Sequence, residues 1–397
     1  MTEARTPRRV VYYVEGGTFA GTERHLCALV AHLDRSRFDP VVLGVMHDLL
    51  EEEMQKLSVP VVRLAPVRSK FDIPAWLGVV AAVRRARPVI FHGMLSQTFA
   101  GSYALLTAVT MRVPAVVVTN HLPTPAANRR QAWLRRRLDL GVDLQIVLSA
   151  WARQQLAEAG MLARRVAVVD GGLTPPMWRD RADARRVLDL PEDATVVGTA
   201  MRMEPYKRPD LVADLVRLPG VHVAIFGDGP ERSRLAAAGS PRLHLYGFRP
   251  DAPELLRALD VFVFPSTYEN QPLAVIEAMW AGVPVVGADE GGVAELIEHG
   301  RTGILAPATA ALSDAVAELL ADPERRRALG EAAATEAARR FDPAGLAERI
   351  QRLYEDLLGN GRETLGSDRR RRPSRFYLAA RLAARRGASA AAVAFTR

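Results

Sequence analysis

The chain is poor in the residues that cysteine-based metal and redox chemistry requires. Its single cysteine, Cys27, excludes an internal disulfide bond and a cysteine metal cluster. The eight histidines show no His-Glu-x-x-His spacing. Long apolar runs are also missing, and the basic N-terminus leads straight into a strand pattern without a cleavable apolar segment. We therefore expect a cytoplasmic protein, with a peripheral position on the inner face of the cell membrane as an extension of that expectation.

Positive charge is unevenly distributed along the chain. The net charge is +8, yet residues 361–397 contain ten arginines against Glu363 and Asp368. Residues 1–360 are therefore close to neutral. Because a nucleic-acid-binding enzyme carries its basic surface on the folded domain, this distribution argues against a nucleic acid partner. Lysine is rare enough that one in a loop motif stands out, and the three lysines are Lys56, Lys70 and Lys207.

Short apolar runs alternate with helical periodicity over most of the 397 residues. This alternation predicts an α/β protein with parallel sheets covered on both faces, and ligands at the carboxyl ends of the strands. Turn residues and charge accumulate from Gly171 to Asp193, which indicates a crossing into a second domain. The predicted strands are Val10–Val14, Val41–Met46, Val61–Leu64, Val89–His92, Ala115–Thr119, Leu144–Leu148, Val166–Val169, Thr195–Thr199, Val221–Phe226 and Val261–Phe264.

The last of these strands begins the most informative stretch. After Val261–Phe264, turn formers lead into a helical pattern that starts near Pro272, so a helix N-terminus faces a strand end. Such ends suit the phosphates of a nucleotide. Glu269 in the loop and Glu277 in the helix add carboxylates, which accept hydrogen bonds from sugar or ribose hydroxyls. Glu277 lies among apolar residues, where an unpaired carboxylate is costly; a partly exposed helix glutamate is the alternative.

Three further loops follow predicted strands. The first joins Val10–Val14 to a helix through a glycine-containing loop that ends at Gly21, an arrangement that brings backbone amides to a diphosphate, although its spacing is not Gly-x-Gly-x-x-Gly. The second places Arg202 and Lys207 where they neutralise a diphosphate. The third places His121 at a strand end. Each feature has an alternative interpretation: the glycine-containing loop as a plain tight turn, Arg202 and Lys207 as surface charges, and His121 as a packing residue.

The combined order of these motifs resembles the GT-B glycosyltransferases of family 4, the retaining glycogen-synthase-like and mannosyltransferase-like enzymes. Glu269 and Glu277 resemble the family's E-x7-E motif. The segment Ala20–Glu23 resembles Gly-Gly-x-Glu, and Arg202 with Lys207 resembles Gly-Arg-Leu…Lys, with Ala200-Met201 where the glycine usually stands. The resemblance extends over about residues 9 to 358.

The resemblance implies two Rossmann-like domains that face each other across a cleft. The implied divisions are an acceptor-side domain at 1–175, a linker at 176–193, a donor domain at 194–340, a helix crossing back at 341–360, and a basic tail at 361–397 that we expect to be disordered, or else a helix on anionic lipid.

The resemblance also implies roles for particular residues. This chain has Asn-Gln-Pro after Glu269 where many relatives have Gly-x-Gly, and Pro272 has no N–H to offer. The implied roles are His121 and Glu269 at the reacting sugar; Arg202, Lys207 and Gly21 at the donor diphosphate; Asn270, Gln271 and Leu273 around the donor sugar; Glu277 on the ribose; and Gly247 and Arg249 near the nucleobase.

The implied activity is that of a retaining hexosyltransferase that needs no metal ion or other cofactor. It would move a sugar from a UDP- or GDP-sugar to a hydroxyl acceptor in polysaccharide, glycolipid or natural-product synthesis. Two other classes stay open. A sugar-nucleotide epimerase or a phosphorylase shares the two-domain form, although Lys207 is a poor candidate for a pyridoxal lysine, and a non-catalytic sugar-nucleotide-binding protein would keep Glu277 and Lys207.

One segment indicates a membrane. Residues 128–140 combine five arginines with Trp133, Leu134 and Leu138. A cationic amphipathic helix of this kind lies on anionic bilayers, and in related enzymes with lipid acceptors this part of the chain contacts the bilayer. A solvated helix face is the alternative.

Overall fold

A computed structural model describes residues 6–17, 19–237 and 239–364 of the chain. They form two α/β lobes, each built on its own parallel sheet, which confirms the predicted fold class. The N-lobe contains β1–β7, α1–α6 and α15, and the C-lobe contains β8–β13 and α7–α14. The strands are β1 Arg8–Glu15, β2 Phe38–Val45, β3 Val61–Arg63, β4 Ile90–Leu95, β5 Ala115–Asn120, β6 Leu144–Val147, β7 Val166–Val168, β8 Thr195–Ala200, β9 Val221–Phe226, β10 Leu243–Gly247, β11 Val261–Phe264, β12 Val285–Ala288 and β13 Gly303–Ala306. The helices are α1 Gly21–Ala31, α2 Asp48–Lys56, α3 Ile73–Ala86, α4 Ser102–Thr110, α5 Arg129–Asp139, α6 Ala150–Glu158, α7 Arg181–Val187, α8 Pro209–Ala213, α9 Arg232–Ala236, α10 Ala252–Leu255, α11 Leu273–Trp280, α12 Val293–Leu296, α13 Ala310–Ala321, α14 Pro323–Arg340 and α15 Pro343–Thr364.

The strand orders explain where a ligand can enter. The N-lobe sheet runs β3-β2-β1-β4-β5-β6-β7, and the C-lobe sheet runs β10-β9-β8-β11-β12-β13. In each lobe the winding direction reverses at the first strand, β1 beside β4 and β8 beside β11. A crevice opens at the carboxyl ends of the strands at such a reversal. The loops that carry the predicted site residues follow β1, β5, β8 and β11, so the topology brings most of them to these two crevices.

Helix α15 returns from the C-lobe and packs into the N-lobe core. Tyr354 on α15 is fully buried, and the Nδ1–H of His92 donates to its hydroxyl at 2.5 Å. The Oγ1–H of Thr119 donates to His92 Nε2 at 2.7 Å, and the Tyr354 hydroxyl donates to that of Tyr12 at 3.2 Å. Because a buried polar group without a partner is costly, this chain of bonds fixes α15 on the N-lobe.

The expected linker at 176–193 contains α7, which packs into the C-lobe. Asp180 caps this helix by accepting from Asp183 N–H at 2.8 Å, and Ala184 is fully buried in the C-lobe core. The Arg185 guanidinium donates to Ala258 O at 3.1 Å and pairs with Asp260 at 3.1 Å. Residues 181–187 of the expected linker therefore form a helix of the C-lobe, with turns on its C-terminal side at 188–189 and 192–193. Most of the tail at 361–397 lies outside the described residues, which end at 364.

Candidate active site

The loop between β11 and α11, residues 265–272, forms the centre of the site and is called the central loop below. Its backbone is pressed against a glycine pair of the C-lobe. Gly292 N–H donates to Glu269 O at 2.7 Å, and a Cβ atom at Gly292 would lie 1.5 Å from Asn270 O. Only glycine permits this approach. Gly292 therefore supports the shape of the central loop.

Two helix N-termini meet across the cleft. Gly21 opens α1 and Leu273 opens α11, and a Cβ atom at Gly21 would lie 3.7 Å from Leu273 Cδ1. Glu23 caps α1 by accepting from Ala20 N–H at 3.0 Å. Because each N-terminus carries partial positive charge and unpaired amides, their convergence creates a place that favours an anion.

Glu277 is buried on α11 and forms an ion pair with Arg24 of the N-lobe. Burial raises the pKa of Glu277, and the neighbouring Arg24 opposes that rise. Sequence analysis identified the carboxylate but missed its counter-ion, because Arg24 lies outside the recognised glycine motif and about 250 residues away along the chain. A buried carboxylate at the end of the cleft, with lone pairs to spare, is a ready acceptor for hydroxyl groups.

The two predicted diphosphate cations differ in their surroundings. Lys207 and Glu269 form an ion pair, with side chains 15% and 12% exposed, and Ser266 Oγ lies 3.3 Å from Glu269 Oε1. Arg202 pairs with Glu204 at 2.9 Å and its side chain is 69% exposed. Lys207 is therefore held at the central loop, while Arg202 stands free enough to reach a ligand by a rotamer change. Both roles stay predictions.

Two side chains of the central loop cross the cleft. Asn270 Oδ1 accepts from Ser149 Oγ at 2.6 Å, while its Nδ2 donates to Asn120 O at 3.2 Å and to His121 O at 2.6 Å. Gln271 likewise reaches the N-lobe: its Oε1 accepts from the Gly171 amide at 2.7 Å and its Nε2 donates to Asp170 at 3.1 Å. Because both side chains are engaged, the backbone amides are the groups that the loop has left to offer; the role of Asn270, Gln271 and Leu273 at a donor sugar stays a prediction.

His121 lies at the end of β5, beneath this loop. Its Nδ1–H donates to Leu95 O at 3.3 Å, so Nε2 carries the free lone pair, and that atom is buried without a protein partner. Burial lowers the pKa of His121 to about 4, and the ring meets His25 edge to face at 5.0 Å between centroids. His121 is therefore a neutral imidazole whose Nε2 can accept from a hydroxyl group.

The predicted nucleobase residues lie at the end of β10, which Gly247 closes and Arg249 follows. Gly247 adopts a positive φ of 70°, and its carbonyl accepts from Gly227 N–H at 2.7 Å, which ties together two loops at the C-lobe crevice. Arg249 forms a two-bond pair with Asp251, at 3.0 and 2.7 Å. Their contact with a base stays a prediction.

Three contacts that the sequence did not reveal complete the closure of the lobes. Glu295 of α12 accepts from the first amides of α6, Ala150 N–H at 2.8 Å and Trp151 N–H at 2.5 Å. Arg340 of α14 grips both carboxylate oxygens of Asp170 at 2.8 and 2.9 Å. Each contact joins residues more than 140 positions apart, so no local pattern could have indicated them.

The membrane-type segment forms α5, and the structure divides its side chains into two faces. Arg135 and Asp139 form a buried pair at 2.8 Å, whereas Trp133 and Leu134 are 54% and 51% exposed. Helix α3 lies on the same side of the N-lobe sheet, with α4 between the two. It carries a second apolar group at its N-terminal end, Phe71, Ile73 and Leu77.

Neither a metal cluster nor a membrane span is evident in the described part of the chain. Over residues 6–17, 19–237 and 239–364, histidine, cysteine and carboxylate side chains do not come together in groups of three or more suited to a metal ion. Within the same ranges, no helix combines the length and apolar character needed to cross a bilayer.

Two parallel α/β lobes whose strand ends face one cleft are the mark of GT-B glycosyltransferases, and solved structures show the same fold. The structure of Anabaena Alr3699/HepE in complex with UDP and glucose superimposes with a TM-score of 0.76 at 22% identity, over 88% of this chain and 100% of that one. Sucrose-phosphate synthase from Thermosynechococcus elongatus gives a TM-score of 0.71 at 18% identity, over 89% and 100% of the two chains.

Sequence comparison fixes the family. Residues 19–175 match the model for Glycosyltransferase Family 4, and residues 180–336 match that for Glycosyl transferases group 1. D-inositol 3-phosphate glycosyltransferase from Mycobacterium tuberculosis (strain ATCC 25177 / H37Ra) is 30% identical over 74% of this chain and 72% of its own length. Sulfoquinovosyl transferase SQD2 from Arabidopsis thaliana is 28% identical over 83% and 70%. The chain belongs to the group 1, family 4 glycosyltransferases.

Proposed function

We propose that this glycosyltransferase moves a sugar from a nucleoside diphosphate sugar, UDP- or GDP-linked, to a hydroxyl acceptor with retention of configuration. The observation that carries the proposal is the buried Glu277, placed one helix turn behind the meeting point of the α1 and α11 N-termini. A ribose that donates to Glu277 leaves its diphosphate at those N-termini. The complex of HepE with UDP and glucose and the names of the sequence relatives support a donor of this class.

The proposed mechanism depends on stabilising the charge that develops on the leaving group. As the donor bond breaks, negative charge grows on the leaving diphosphate, and preorganised cations and helix N-termini stabilise it. Lys207, Arg202 and the amides at Gly21 and Leu273 supply that stabilisation, so the proposed mechanism has no step that needs a divalent ion. His121 Nε2 accepts from a hydroxyl of the donor sugar. The acceptor attacks on the leaving-group face and passes its proton to the departing phosphate oxygen, which gives retention.

For the acceptor, the proposal is that the enzyme binds peripherally to an anionic membrane. Trp133 and Phe71 are the exposed aromatic rings of α5 and of the turn before α3, and each has a cation over its face, Arg137 at 5.2 Å and Lys70 at 4.9 Å. Aromatic rings flanked by basic groups favour the interface of an anionic bilayer. Phe71 directly precedes α3 and Trp133 lies in the first half of α5, and a lipid-linked acceptor would be presented at this end of the N-lobe.

The test is Glu277→Ala, measured as nucleotide release from UDP- and GDP-sugars and as calorimetric donor affinity. Loss of hydrogen bonds to a charged group costs about 1.5–3 kcal/mol, so we expect a roughly 10- to 100-fold weaker donor affinity. Glu318→Ala, at an exposed helix position on α13, is the matched control.

Unchanged donor affinity and transfer in the Glu277→Ala variant would contradict the proposal. The same assay separates the other classes. Sugar conversion without an acceptor indicates an epimerase, and binding without turnover indicates a non-catalytic protein. Strict loss of transfer on addition of a chelator would overturn the metal-independent mechanism.

A further inference from the structure

Arg24 and Glu277 belong to opposite lobes, yet they form one of the most enclosed ion pairs of the cleft. Arg24 lies in the first turn of α1, where its N–H donates to Ala20 O at 3.0 Å. Its side chain is 28% exposed, and that of Glu277 is 4% exposed. The pair therefore exists only while the lobes are closed, because opening the cleft separates α1 from α11.

The surroundings of Glu277 make this partner necessary. Its neighbours along α11, Val275, Ile276, Ala278 and Met279, are all fully buried. A carboxylate taken out of water in such surroundings is strongly destabilising unless a counter-ion accompanies it. When the cleft is open, water can fulfil this role. When the cleft closes, Arg24 is the cation that the structure brings to Glu277.

The geometry leaves the carboxylate able to take a second partner. The closest approach of the two side chains joins Arg24 Nη1 to Glu277 Oε1, and that buried oxygen has no well-aligned hydrogen bond from the described residues. A carboxylate has about four lone-pair sites, so a single guanidinium contact leaves positions open for hydroxyl groups. Arg24 and a ribose can therefore occupy Glu277 together, and the arginine need not be displaced when the donor binds.

We propose that Arg24 is a positioning residue of the donor site, supplied by the opposite lobe. It holds Glu277 charged and oriented while the cleft is closed, so that the two ribose hydroxyls can donate to it. Closure of the lobes and affinity for the donor are thereby coupled through one side chain. This inference rests on the proposed role of Glu277 and extends it.

The experiment is a double-mutant cycle in the full chain. Dissociation constants of UDP and GDP are measured by calorimetry, and the cycle uses whichever nucleotide the unmodified enzyme binds. The variants are Arg24→Met, Glu277→Gln and the pair together, with Arg24→Lys as the conservative rescue. Arg153→Met, an exposed arginine on helix α6 of the same lobe, is the matched control. Because glutamine is neutral, the Glu277→Gln site needs no counter-ion.

We expect Arg24→Met to weaken nucleotide affinity at least 10-fold, Arg24→Lys to recover most of the loss, and Arg153→Met to change it less than 2-fold. In the Glu277→Gln background, Arg24→Met should add less than a 2-fold effect, because there is no charge left to balance. If the single variant folds poorly, the double variant still carries the test, since it contains no buried unpaired charge and should bind as Glu277→Gln does.

Unchanged nucleotide affinity in Arg24→Met would overturn the inference, and so would either of two other results. Equal losses on Arg24→Met in both backgrounds would show that Arg24 acts independently of Glu277. A loss for the nucleoside diphosphate but not for the nucleoside, uridine or guanosine, would show that Arg24 contacts the phosphates directly. Failure here is distinguishable from failure of the proposed function. Unchanged nucleotide affinity in Glu277→Ala would contradict the proposed donor site itself. Weaker affinity in Glu277→Gln together with unchanged affinity in Arg24→Met would contradict this inference alone.

Discussion

Asn270 offers a direct way to ask whether the closed cleft is held by the central loop. Its side chain is 1% exposed and makes three hydrogen bonds to the N-lobe, at 2.6, 3.2 and 2.6 Å. Each such bond contributes about 1 kcal/mol net, so replacing Asn270 with glycine, which removes the whole side chain, should remove about 3 kcal/mol from the closed arrangement. At 1.4 kcal/mol per factor of ten, the open-to-closed ratio rises roughly 100-fold.

The measurement pairs solution scattering with kinetics. Asn270→Gly should increase the radius of gyration of the ligand-free enzyme and raise the KM for the donor, because part of the binding energy must then close the cleft. Asn270→Asp is the informative control. It keeps the oxygen that faces Ser149 but turns the donor into an acceptor opposite the carbonyls of Asn120 and His121, so it should open the cleft more than glycine does.

The reasoning is refuted if Asn270→Gly matches the unmodified enzyme in both radius and KM, or if Asn270→Asp behaves like asparagine. Either result would mean that the hydrogen bonds across the cleft are compensated by water when they break. The remaining contacts between the lobes, such as Glu295 with the α6 amides, would then have to account for closure.

Two other predictions concern acid stability and membranes. Burial lowers the pKa of His121 to about 4 in the folded chain, against an ordinary value of 6.5 when it is unfolded. Between these two pH values the unfolded chain binds a proton at His121 and the folded chain does not. Its contribution to stability is intact above pH 6.5 and falls by about 1.4 kcal/mol per pH unit below it, until about pH 4. Urea unfolding of His121→Asn should therefore show a shallower loss than the unmodified chain between pH 6.5 and 5, whereas parallel curves would contradict the assignment. For the membrane, we expect the full chain to float with phosphatidylglycerol vesicles more than with neutral ones, and Trp133→Ser with Leu134→Ser to reduce flotation; equal flotation of the variant would place binding elsewhere.

Local chemistry explains what the sequence could predict. The strand, loop and helix around Glu269 and Glu277 lie within about twenty consecutive residues, so apolar periodicity and turn formers were enough to place both carboxylates. The order of such units along the chain was enough to predict two parallel sheets. The bounds of α7 were not predicted, because its capping residue Asp180 lies among charges that suggest a linker.

Contacts between the lobes could not be predicted in the same way. Arg24, Ser149 and Asp170 owe their importance to partners in the other lobe, and nothing in their immediate neighbours distinguishes them from surface residues. Asn270 shows the same effect from the other side. Its position in the loop was recognised, but only the packed lobes show that its side chain is engaged with backbone carbonyls of the N-lobe.

The chain passes between the lobes twice, once after β7 and once before α15, and the two passages touch: Leu173 N–H donates to Phe341 O at 3.1 Å. Paired connections of this kind act as a hinge between the lobes. They let the lobes swing about one line but resist twisting or sliding. Each time the cleft opens and closes again, the N-termini of α1 and α11 should therefore return to the same alignment.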